Sequence, residues 1–327
     1  MTLLVTGSAG HLGEALMRTF AEAGESAIGV DVLPSPFTTA VGSICDPDFV
    51  RGAMRGVRAV IHAATLHKPH VATHGRQAFV DVNVTGTLAL LEAAVAAGVE
   101  AFVFTSTTSA FGSALRPAAG APAAWITEAV APVPRNIYGV TKLAAESLCE
   151  LFHRQNGLPV VVLRTSRFFP EPDDDPAVRD RYESANAQAN ELLYRRADIE
   201  DVVSAHRLAV AKASELGFAR LIVSATTPFC PEDLAELRGR APAVVARLYP
   251  GYERLYAARG WRMFPSLDRV YVNDAARTAL GWRPRYDFAH VLDCLAAGED
   301  FRSPLARAVG AKGYHAQAFA KGPYPVE

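Results

Sequence analysis

The stretch VTGSAGHLG (residues 5–13) carries three regularly spaced glycines, Gly7, Gly10 and Gly13. It joins the apolar run TLLV to an amphipathic pattern that ends at Gly24, so it predicts a strand, a tight turn and a helix. Glycine allows the turn and lets a phosphate approach backbone N–H groups, and the helix dipole favours the same anion. The spacing therefore predicts a loop that binds the pyrophosphate of a dinucleotide.

Asp31 stands at the end of the second predicted strand, SAIGVDV (residues 26–32). A carboxylate at this position can accept hydrogen bonds from the adenosine ribose hydroxyls, and it repels a 2′-phosphate. No arginine follows Asp31 closely, so the pattern favours NAD over NADP as the cofactor. The alternative is a structural glycine turn with Asp31 at a solvated strand end.

Apolar runs alternate with helical patterns through the first half of the chain, as in RAVIHAA, EAFVFTSTT and LPVVVLRTSRF. Such alternation predicts an α/β fold, a Rossmann-type doubly wound parallel sheet with a smaller C-terminal α+β substrate domain. We expect residues 1–166 to form the NAD-binding domain, with 198–227 returning to it. Residues 167–197 and 228–327 are expected to form the substrate-binding domain.

Local patterns add further expectations. Asp46 is a plausible N-cap for a helix in PDFVRGAMRG, and a long helix is expected in residues 81–98. Residues 114–135, rich in Pro and Ala, predict a long loop before the helix that contains NIYGVTK. The segment DAARTALGWRPRYDF predicts a helix, a stop at Gly281 and a short strand, and the last ~25 residues a loosely packed tail.

The composition excludes several classes of protein. The 327 residues carry a net charge of -1, which argues against non-specific binding to nucleic acid or to an anionic membrane. The four cysteines are widely separated, as in a reduced cytosolic protein without a zinc ribbon or disulfide framework. The first residues lack a signal-peptide pattern and no apolar run predicts a membrane span, so we expect a cytoplasmic protein.

Several motifs follow one another along the chain: TGSAGHLG, then VIHAAT, NVTGT, FTSTTSAFG, YGVTK and finally ALGWRPRYDF. In this order they resemble the extended short-chain dehydrogenase/reductase family, the group of NAD-dependent sugar epimerases and dehydratases. The resemblance covers most of the chain, and the ordered set is far more specific than any one motif.

The resemblance implies a catalytic set of Thr107, Tyr138 and Lys142. Tyr138 would be the general acid/base, Lys142 would lower its pKa and bind the nicotinamide ribose, and Thr107 would orient the substrate hydroxyl. Free tyrosine, with a pKa of about 10, is a poor base, so a nearby cation is needed. By itself, Y-x-x-x-K favours a helix start that carries a solvated lysine, and only the other motifs point to a catalytic pair.

The resemblance also implies binding residues. Asn83 would position the backbone or a water, and the residues after the third and fifth strands would line the cofactor path. The implied cofactor-binding set is Gly7, Ala9, Gly10, His11, Leu12, Gly13, Asp31, Ser43, Ile44, His62, Ala63, Ala64, Asn83, Thr105, Tyr138 and Lys142. The implied substrate-binding set is Ser106, Thr107, Thr108, Ser166, Arg167 and Arg195.

The departures from the family pattern concern the substrate. The segment before EDVVSAH is short, and the arginine that contacts the diphosphate of nucleotide sugars falls on Tyr194, although Arg195 and Arg196 are adjacent. The turn RTSRFFPEPDDD is closer to that of uronate dehydrogenases, which act on free sugar acids. Arg167 would bind a carboxylate or phosphate there, or else form a surface salt bridge.

Two other groups of residues invite hypotheses. His67, His70 and His74 are spaced for one helical face, which suggests a metal site, but the family needs none, so a pocket mouth or solvent exposure is favoured. Glu128 is a candidate second acid/base. The acidic pair of dehydratases does not follow Thr107, where Thr108 and Ser109 stand, so dehydration is disfavoured.

The sequence therefore predicts an NAD-dependent oxidoreductase or epimerase that oxidises a carbinol of a sugar or sugar-like molecule, and the family suggests a homodimer. Two alternatives within this class are a nucleotide-sugar 4-epimerase proper and a uronate-dehydrogenase-like enzyme. A remote alternative is a non-catalytic protein that senses NAD, although such proteins usually lose the tyrosine or the lysine.

Overall fold

A parallel sheet organises the chain in the computed structural model, which describes residues 2–313. The sheet has seven strands in the order β3-β2-β1-β4-β5-β7-β8, and β6 pairs with β9 in a separate two-stranded sheet. The strands are β1 Leu3–Thr6, β2 Ala27–Asp31, β3 Ala40–Val41, β4 Ala59–His62, β5 Ala101–Thr107, β6 Ala124–Ile126, β7 Val160–Thr165, β8 Phe218–Val223 and β9 Arg269–Tyr271.

Helices cover both faces of the large sheet, so the predicted doubly wound α/β fold is confirmed. The α-helices are α1 His11–Glu22, α2 Pro47–Ala53, α3 Arg76–Val80, α4 Gly86–Ala96, α5 Ile137–Asn156, α6 Pro176–Arg179, α7 Ser184–Glu191, α8 Ile199–Leu216, α9 Leu234–Leu248, α10 Tyr252–Ala257, α11 Asp274–Leu280, α12 Phe288–Ala297 and α13 Pro304–Val309.

The two faces of the sheet have separate cores, because successive strand residues point to opposite faces. Val5, Ile61 and Val103 pack against α1 and α8, while Val60 and Phe102 pack on the side of α4 and α5. β1 lies between β2 and β4, so the glycine-rich loop after β1 stands where the strand order reverses. Ligands of open α/β sheets bind in the crevice at this point.

A third core forms around α7, α9, α10 and α12, with the buried aromatic side chains of Tyr252, Tyr256 and Phe288 among its members. β8 returns to the large sheet beside β7, while α11 and α13 pack against the core of α1 and α8. The C-terminal part of the chain thus contributes to the third core and to the core of α1 and α8. The domain boundaries stay a prediction.

The long helical stretch before β5 begins earlier than predicted. It runs from Arg76 through a π-helical turn, Asp81–Thr85, to Ala96. This stretch is long and apolar enough to cross a membrane by length and composition. Leu90 and Leu91 are buried against the sheet, so packing inside the fold accounts for its apolar character.

Local predictions had mixed outcomes. Asp46 caps α2 by accepting hydrogen bonds from Asp48 N and Phe49 N, as predicted. The predicted loop at 114–135 contains the short strand β6, which pairs with the remote β9. The predicted strand after Gly281 was wrong, because the N–H groups of Arg285 and Tyr286 donate to the Asp201 carboxylate instead of to a strand.

The tail prediction was wrong for its described part. α13 packs on α1 and α8 with Val309 buried, so residues up to 313 are tied to the core. The rest of the predicted tail, residues 314–327, lies outside the described residues.

Two glycines close the glycine-rich loop on itself. Gly7 has a φ of 77°, and a Cβ there would lie 2.8 Å from Ala64 N. A Cβ at Gly13 would overlap the carbonyl oxygen of Gly7, so the first turn of α1 can approach β1 only without a side chain.

We expect Gly13→Ala to lower the free energy of unfolding by roughly 2–3 kcal/mol, because the loop must open to admit the methyl group. The matched control is Gly52→Ala in α2, where a Cβ would meet nothing within 4 Å. It should stabilise the protein by about 0.5–1 kcal/mol. Urea unfolding of the cofactor-free proteins measures both, and equal stability of the two variants would contradict the steric argument.

Candidate active site

A cavity of about 270 Å³ opens at the carboxyl edge of the large sheet. Its walls come from the glycine-rich loop, the end of β5, the start of α5, the turn after β7 and the strand β9. The sequence brings these segments together because the carboxyl ends of parallel strands share one edge of the sheet.

Tyr138 and Lys142 lie one turn apart on α5 and face the end of β5. Asn136 starts this helix by accepting a hydrogen bond from Gly139 N at 3.0 Å. Tyr138 is 6% exposed and lines the cavity, while Lys142 is 2% exposed. Lys142 Nζ donates to Thr105 O at 2.6 Å and lies 4.0 Å from the centroid of the Phe104 ring. The lysine is therefore packed inside the protein instead of solvated at a helix start.

Burial shifts both pKa values in the free protein. It raises the pKa of Tyr138 to about 12, and a hydrogen bond with Thr107 opposes the shift. It lowers the pKa of Lys142 to about 7, and the negative charge of Glu146 opposes that shift. The tyrosine is thus a neutral phenol near pH 7, and the lysine titrates there.

The hydroxyl groups at the end of β5 have different partners. Thr107 contacts Tyr138, and its Oγ1 accepts a hydrogen bond from Ser109 N at 3.0 Å. Ser106 Oγ donates to Glu146 at 2.5 Å, inside a buried ion pair between Glu146 and Arg164. Of the two neighbours, Thr107 is the one in contact with Tyr138.

Asn83 holds the loop after β4 against α5. Its Oδ1 accepts hydrogen bonds from Thr65 Oγ1 and Leu66 N, both at 2.8 Å, and its Nδ2 donates to Leu66 O and to Thr141 Oγ1. Each amide atom is engaged in holding the chain. This geometry favours the backbone-positioning role that was considered for Asn83.

The residues of the implied cofactor set fall into two groups. Some line the cavity, namely Gly7, Gly10, His11, Leu12, Gly13, Ala63, Thr105 and Tyr138. The others lie outside its lining, namely Ala9, Asp31, Ser43, Ile44, His62, Ala64, Asn83 and Lys142.

His62 is an internal structural residue. Its Nδ1 lies 2.8 Å from Thr6 Oγ1 and its Nε2 lies 2.9 Å from Thr87 Oγ1, so it ties β1 and β4 to the helix above them. Burial holds its pKa well below the usual range, and the imidazole stays neutral.

The loop and strand ends fit a dinucleotide. A Cβ at Gly7 would fill the space next to Ala64, and α1 points its N-terminus at the cavity through Gly10. Asp31 accepts hydrogen bonds from Ala9 N and Leu33 N, both at 3.0 Å, which fixes its carboxylate at the end of β2. The glycine-rich loop would hold the pyrophosphate, and Asp31 the adenosine ribose.

On the opposite wall, Ser166, Arg167 and Arg195 line the cavity as a group. Arg167 lies 3.2 Å from Asp173 Oδ2, and Arg195 lies 2.9 Å from the same atom. Arg167 is therefore part of a largely buried charge network instead of a surface salt bridge. Arg196, the other candidate next to Tyr194, pairs with Glu191 and lies outside this cavity.

Sequence reasoning missed Arg269 and Tyr271. Both belong to β9 and line the cavity. The exposed Arg116 and Arg135 also line it but come from the segment between β5 and α5. Arg269 pairs with Asp268 at 3.0 Å. No local pattern marks this arginine, because it reaches the site through the pairing of two short strands about 140 residues apart.

Of the three histidines, only His70 lies within the short 3₁₀ helix Lys68–Ala72, and the ring centroids of successive histidines are 6.1 and 5.3 Å apart. His67 lines the cavity, and its ring centroid lies 6.0 Å from that of Tyr138. The backbone N–H of His67 donates a hydrogen bond to His70 Nδ1. His74 is exposed beside His70. Within residues 2–313, no group of three His, Cys, Asp or Glu side chains is arranged to hold a metal ion.

Glu128 does not reach the cavity. Its Oε1 accepts a hydrogen bond from Ile222 N at 2.8 Å, on the edge strand β8. The suggestion of a second acid/base at Glu128 was therefore wrong, since its carboxylate satisfies a backbone N–H at the edge of the sheet.

Comparison with known proteins agrees with this geometry. A sequence model of the NAD dependent epimerase/dehydratase family matches residues 3–217. The chain therefore belongs to this family of NAD-dependent enzymes. A solved short-chain dehydrogenase/reductase superfamily protein from Agrobacterium tumefaciens with bound NAD superposes with a TM-score of 0.65 at 25% identity, covering 94% of this chain and 97% of that one.

Two curated relatives differ in how much of them the chain covers. The uncharacterised protein y4nG of Sinorhizobium fredii is 32% identical over 168 residues, which is 50% of this chain and 40% of that protein. The UDP-glucose 4-epimerase of Streptomyces lividans is 28% identical over an alignment that covers 89% of this chain and 94% of the relative.

The buried lysine makes a prediction about stability. In the folded protein the pKa of Lys142 is about 7, below the ordinary value of 10.5, so between these values the unfolded state binds more protons and stability rises with pH. Relative to Lys142→Met, the wild type should gain roughly 1 kcal/mol per pH unit between pH 7 and pH 9.

Denaturant unfolding of the cofactor-free proteins at several pH values measures this difference. Lys212→Met, which removes an exposed lysine of α8, is the control and should follow the wild-type curve. Parallel curves for Lys142→Met and the wild type would show that the buried lysine keeps an ordinary pKa.

Proposed function

We propose that this protein oxidises a carbinol of a sugar or sugar-like substrate by hydride transfer, with Tyr138 as the acid/base. The observation that carries the proposal is the meeting of Thr107, Tyr138 and Lys142 at one end of β5, beside the glycine-rich loop. A buried tyrosine, lysine and hydroxyl beside a dinucleotide site are the groups that alcohol oxidation requires.

Each residue has a separate task. The Tyr138 phenolic oxygen takes the carbinol proton in oxidation and returns it in reduction. Thr107 holds the carbinol oxygen in line, and the positive charge of Lys142 stabilises the phenolate. NAD, when bound, supplies the hydride acceptor. Glu146 lies one turn after Lys142 on α5, and its buried ion pair with Arg164 of β7 holds this face of the helix against the sheet.

Two classes of substrate are each supported by a specific observation. The full-length similarity to a UDP-glucose 4-epimerase supports a nucleotide-sugar epimerase. The cavity arginines Arg167, Arg195 and Arg269 would suit the carboxylate of a free sugar acid equally well, as in a uronate-dehydrogenase-like enzyme. A homodimer and a cytoplasmic location stay predictions, as does the remote alternative of a non-catalytic NAD sensor.

A paired assay tests the function. The pure protein is incubated with NAD and a panel of free sugars, sugar acids and nucleotide sugars, while NADH absorbance and product stereochemistry are followed together. Stoichiometric NADH with a free sugar or sugar acid would identify a dehydrogenase. Inversion of a nucleotide sugar without net NADH would identify an epimerase.

In the same assay, we expect Tyr138→Phe to lower turnover at least about 100-fold, because the proton acceptor is lost. The dissociation constant for NAD should stay within about threefold of the wild-type value, which corresponds to less than about 1 kcal/mol of binding free energy. Tyr249→Phe, in the third core, is the matched control and should retain activity. Full activity of Tyr138→Phe would refute the proposed role of the tyrosine.

A further inference from the structure

One irregular turn crosses from the substrate side of the cavity toward the cofactor loops. This acidic turn, residues 169–175 (FPEPDDD), follows β7 and precedes α6. On the substrate side it is held by side chains: Arg196 donates to Phe169 O at 2.9 Å, and Gln188 donates to Pro170 O at 3.0 Å.

The first contact across the cavity joins Glu171 to the glycine-rich loop. His11 is the first residue of α1 and lines the cavity, and its Nε2 lies 2.8 Å from Glu171 Oε1. The carboxylate is only 6% exposed. Its pKa is lowered to about 2, against the effect of burial, by the His11 hydrogen bond. It is therefore a buried anion fixed to the loop that would hold the pyrophosphate.

The same carboxylate also binds the C-terminal segment. Lys312 N and Gly313 N donate to Glu171 Oε1 at 2.9 and 3.1 Å. The Lys312 ammonium in turn pairs with Glu14 on α1. The chain after α13 thus lies across the start of α1 and holds Glu171 against His11.

The second contact across the cavity joins Asp174 to the loop after β4. Asp174 Oδ2 lies 2.5 Å from Lys68 Nζ, and both residues line the cavity. Asp174 also approaches Arg167 at 3.4 Å. The acidic turn is therefore fastened at two points to two different loops of the cofactor side.

We propose that the acidic turn is a latched gate over the cofactor site, with Glu171–His11 and Asp174–Lys68 as its two latches, and that NAD enters and leaves only when these latches open. Phe168 and Phe169, at the start of the turn, line the same cavity as the glycine-rich loop and Tyr138, and the Phe169 ring lies 5.9 Å from the His11 ring. A cofactor that extends from this loop toward Tyr138 would therefore share the cavity with both phenylalanine rings. The inference rests on the NAD dependence of the family, not on the substrate.

The gate would decide how the chemistry ends. An enzyme that re-reduces its own intermediate must retain the cofactor through turnover, whereas a net dehydrogenase must release it. Weak latches would therefore suit a dehydrogenase and strong latches an epimerase. The latches act through cofactor exchange, so they are positioning residues and not catalytic ones.

The test measures cofactor exchange directly by stopped-flow NADH fluorescence on the full chain. Association follows mixing with NADH, and dissociation follows displacement of bound NADH by excess NAD. In Glu171→Gln and in Asp174→Asn, both rate constants should rise about tenfold, because each variant removes the negative charge that strengthens the contacts of its latch. The dissociation constant should change less than threefold, since a gate accelerates both directions.

Matched variants make the result decisive. Asp48→Asn removes a carboxylate from an exposed pair with Arg51, neither of which lines the cavity, and should leave both rates unchanged. Lys68→Gln opens the second latch from the opposite side and should reproduce Asp174→Asn, which guards against misfolding of either variant. Unchanged rates in the latch variants would overturn the gate. Faster dissociation with unchanged association would also overturn it, because that pattern marks a lost binding contact. Neither outcome bears on the role of Tyr138.

Discussion

The burial of Lys142 is the constraint on which the site depends. An ammonium group in the interior is costly unless it is neutralised or given strong partners. Here its partners are the Thr105 carbonyl and the face of Phe104, neither of which carries a full charge. The folded protein therefore holds a lysine that exchanges its proton near neutral pH, next to a phenol with a raised pKa.

Because burial raises its pKa, Tyr138 of the free protein is a neutral phenol near pH 7. Any positive charge that enters the cavity favours the phenolate of Tyr138, and any negative charge favours the protonated form of Lys142. The pair is thus sensitive to what occupies the cavity.

The sheet explains why these groups meet. Thr107 ends β5, Ser166 follows β7 and the glycine-rich loop follows β1, so parallel pairing places all three at one edge. Asn83 then fastens the loop after β4 to α5. The acidic turn adds contacts in the other direction, from the substrate side back to His11 and Lys68. The cavity is therefore enclosed by chain segments that come from distant parts of the sequence.

Local and ordered signals made much of the fold predictable. The glycine-rich loop, the apolar strand runs and the Asp46 cap each depend on a few neighbouring residues, and the structure has them at the predicted positions. The roles predicted for the site residues came from the family resemblance and stay predictions, whereas the structure brings Thr107, Tyr138 and Lys142 together at the end of β5.

What escaped prediction depends on long-range pairing. Arg269 lines the cavity because β9 pairs with β6. Glu128 lies away from the cavity because its carboxylate accepts a hydrogen bond from the distant Ile222 N on β8. The strand expected after Gly281 failed because Asp201, some 80 residues earlier, takes its N–H groups. The contact of Lys312 with Glu171 joins residues 141 positions apart and has no local pattern at all.

The most direct measurement is the ionisation of Tyr138 itself. Tyrosinate and neutral tyrosine differ in near-ultraviolet absorbance, which difference spectra resolve. Tyr138→Phe identifies the signal of this residue among the ten tyrosines of the chain. We expect no Tyr138 phenolate in the free protein below pH 10, and a phenolate that appears between about pH 7 and pH 9 once NAD is bound. Lys142→Met should weaken that change. A Tyr138 that stays protonated to pH 10 with NAD bound would contradict its role as the base.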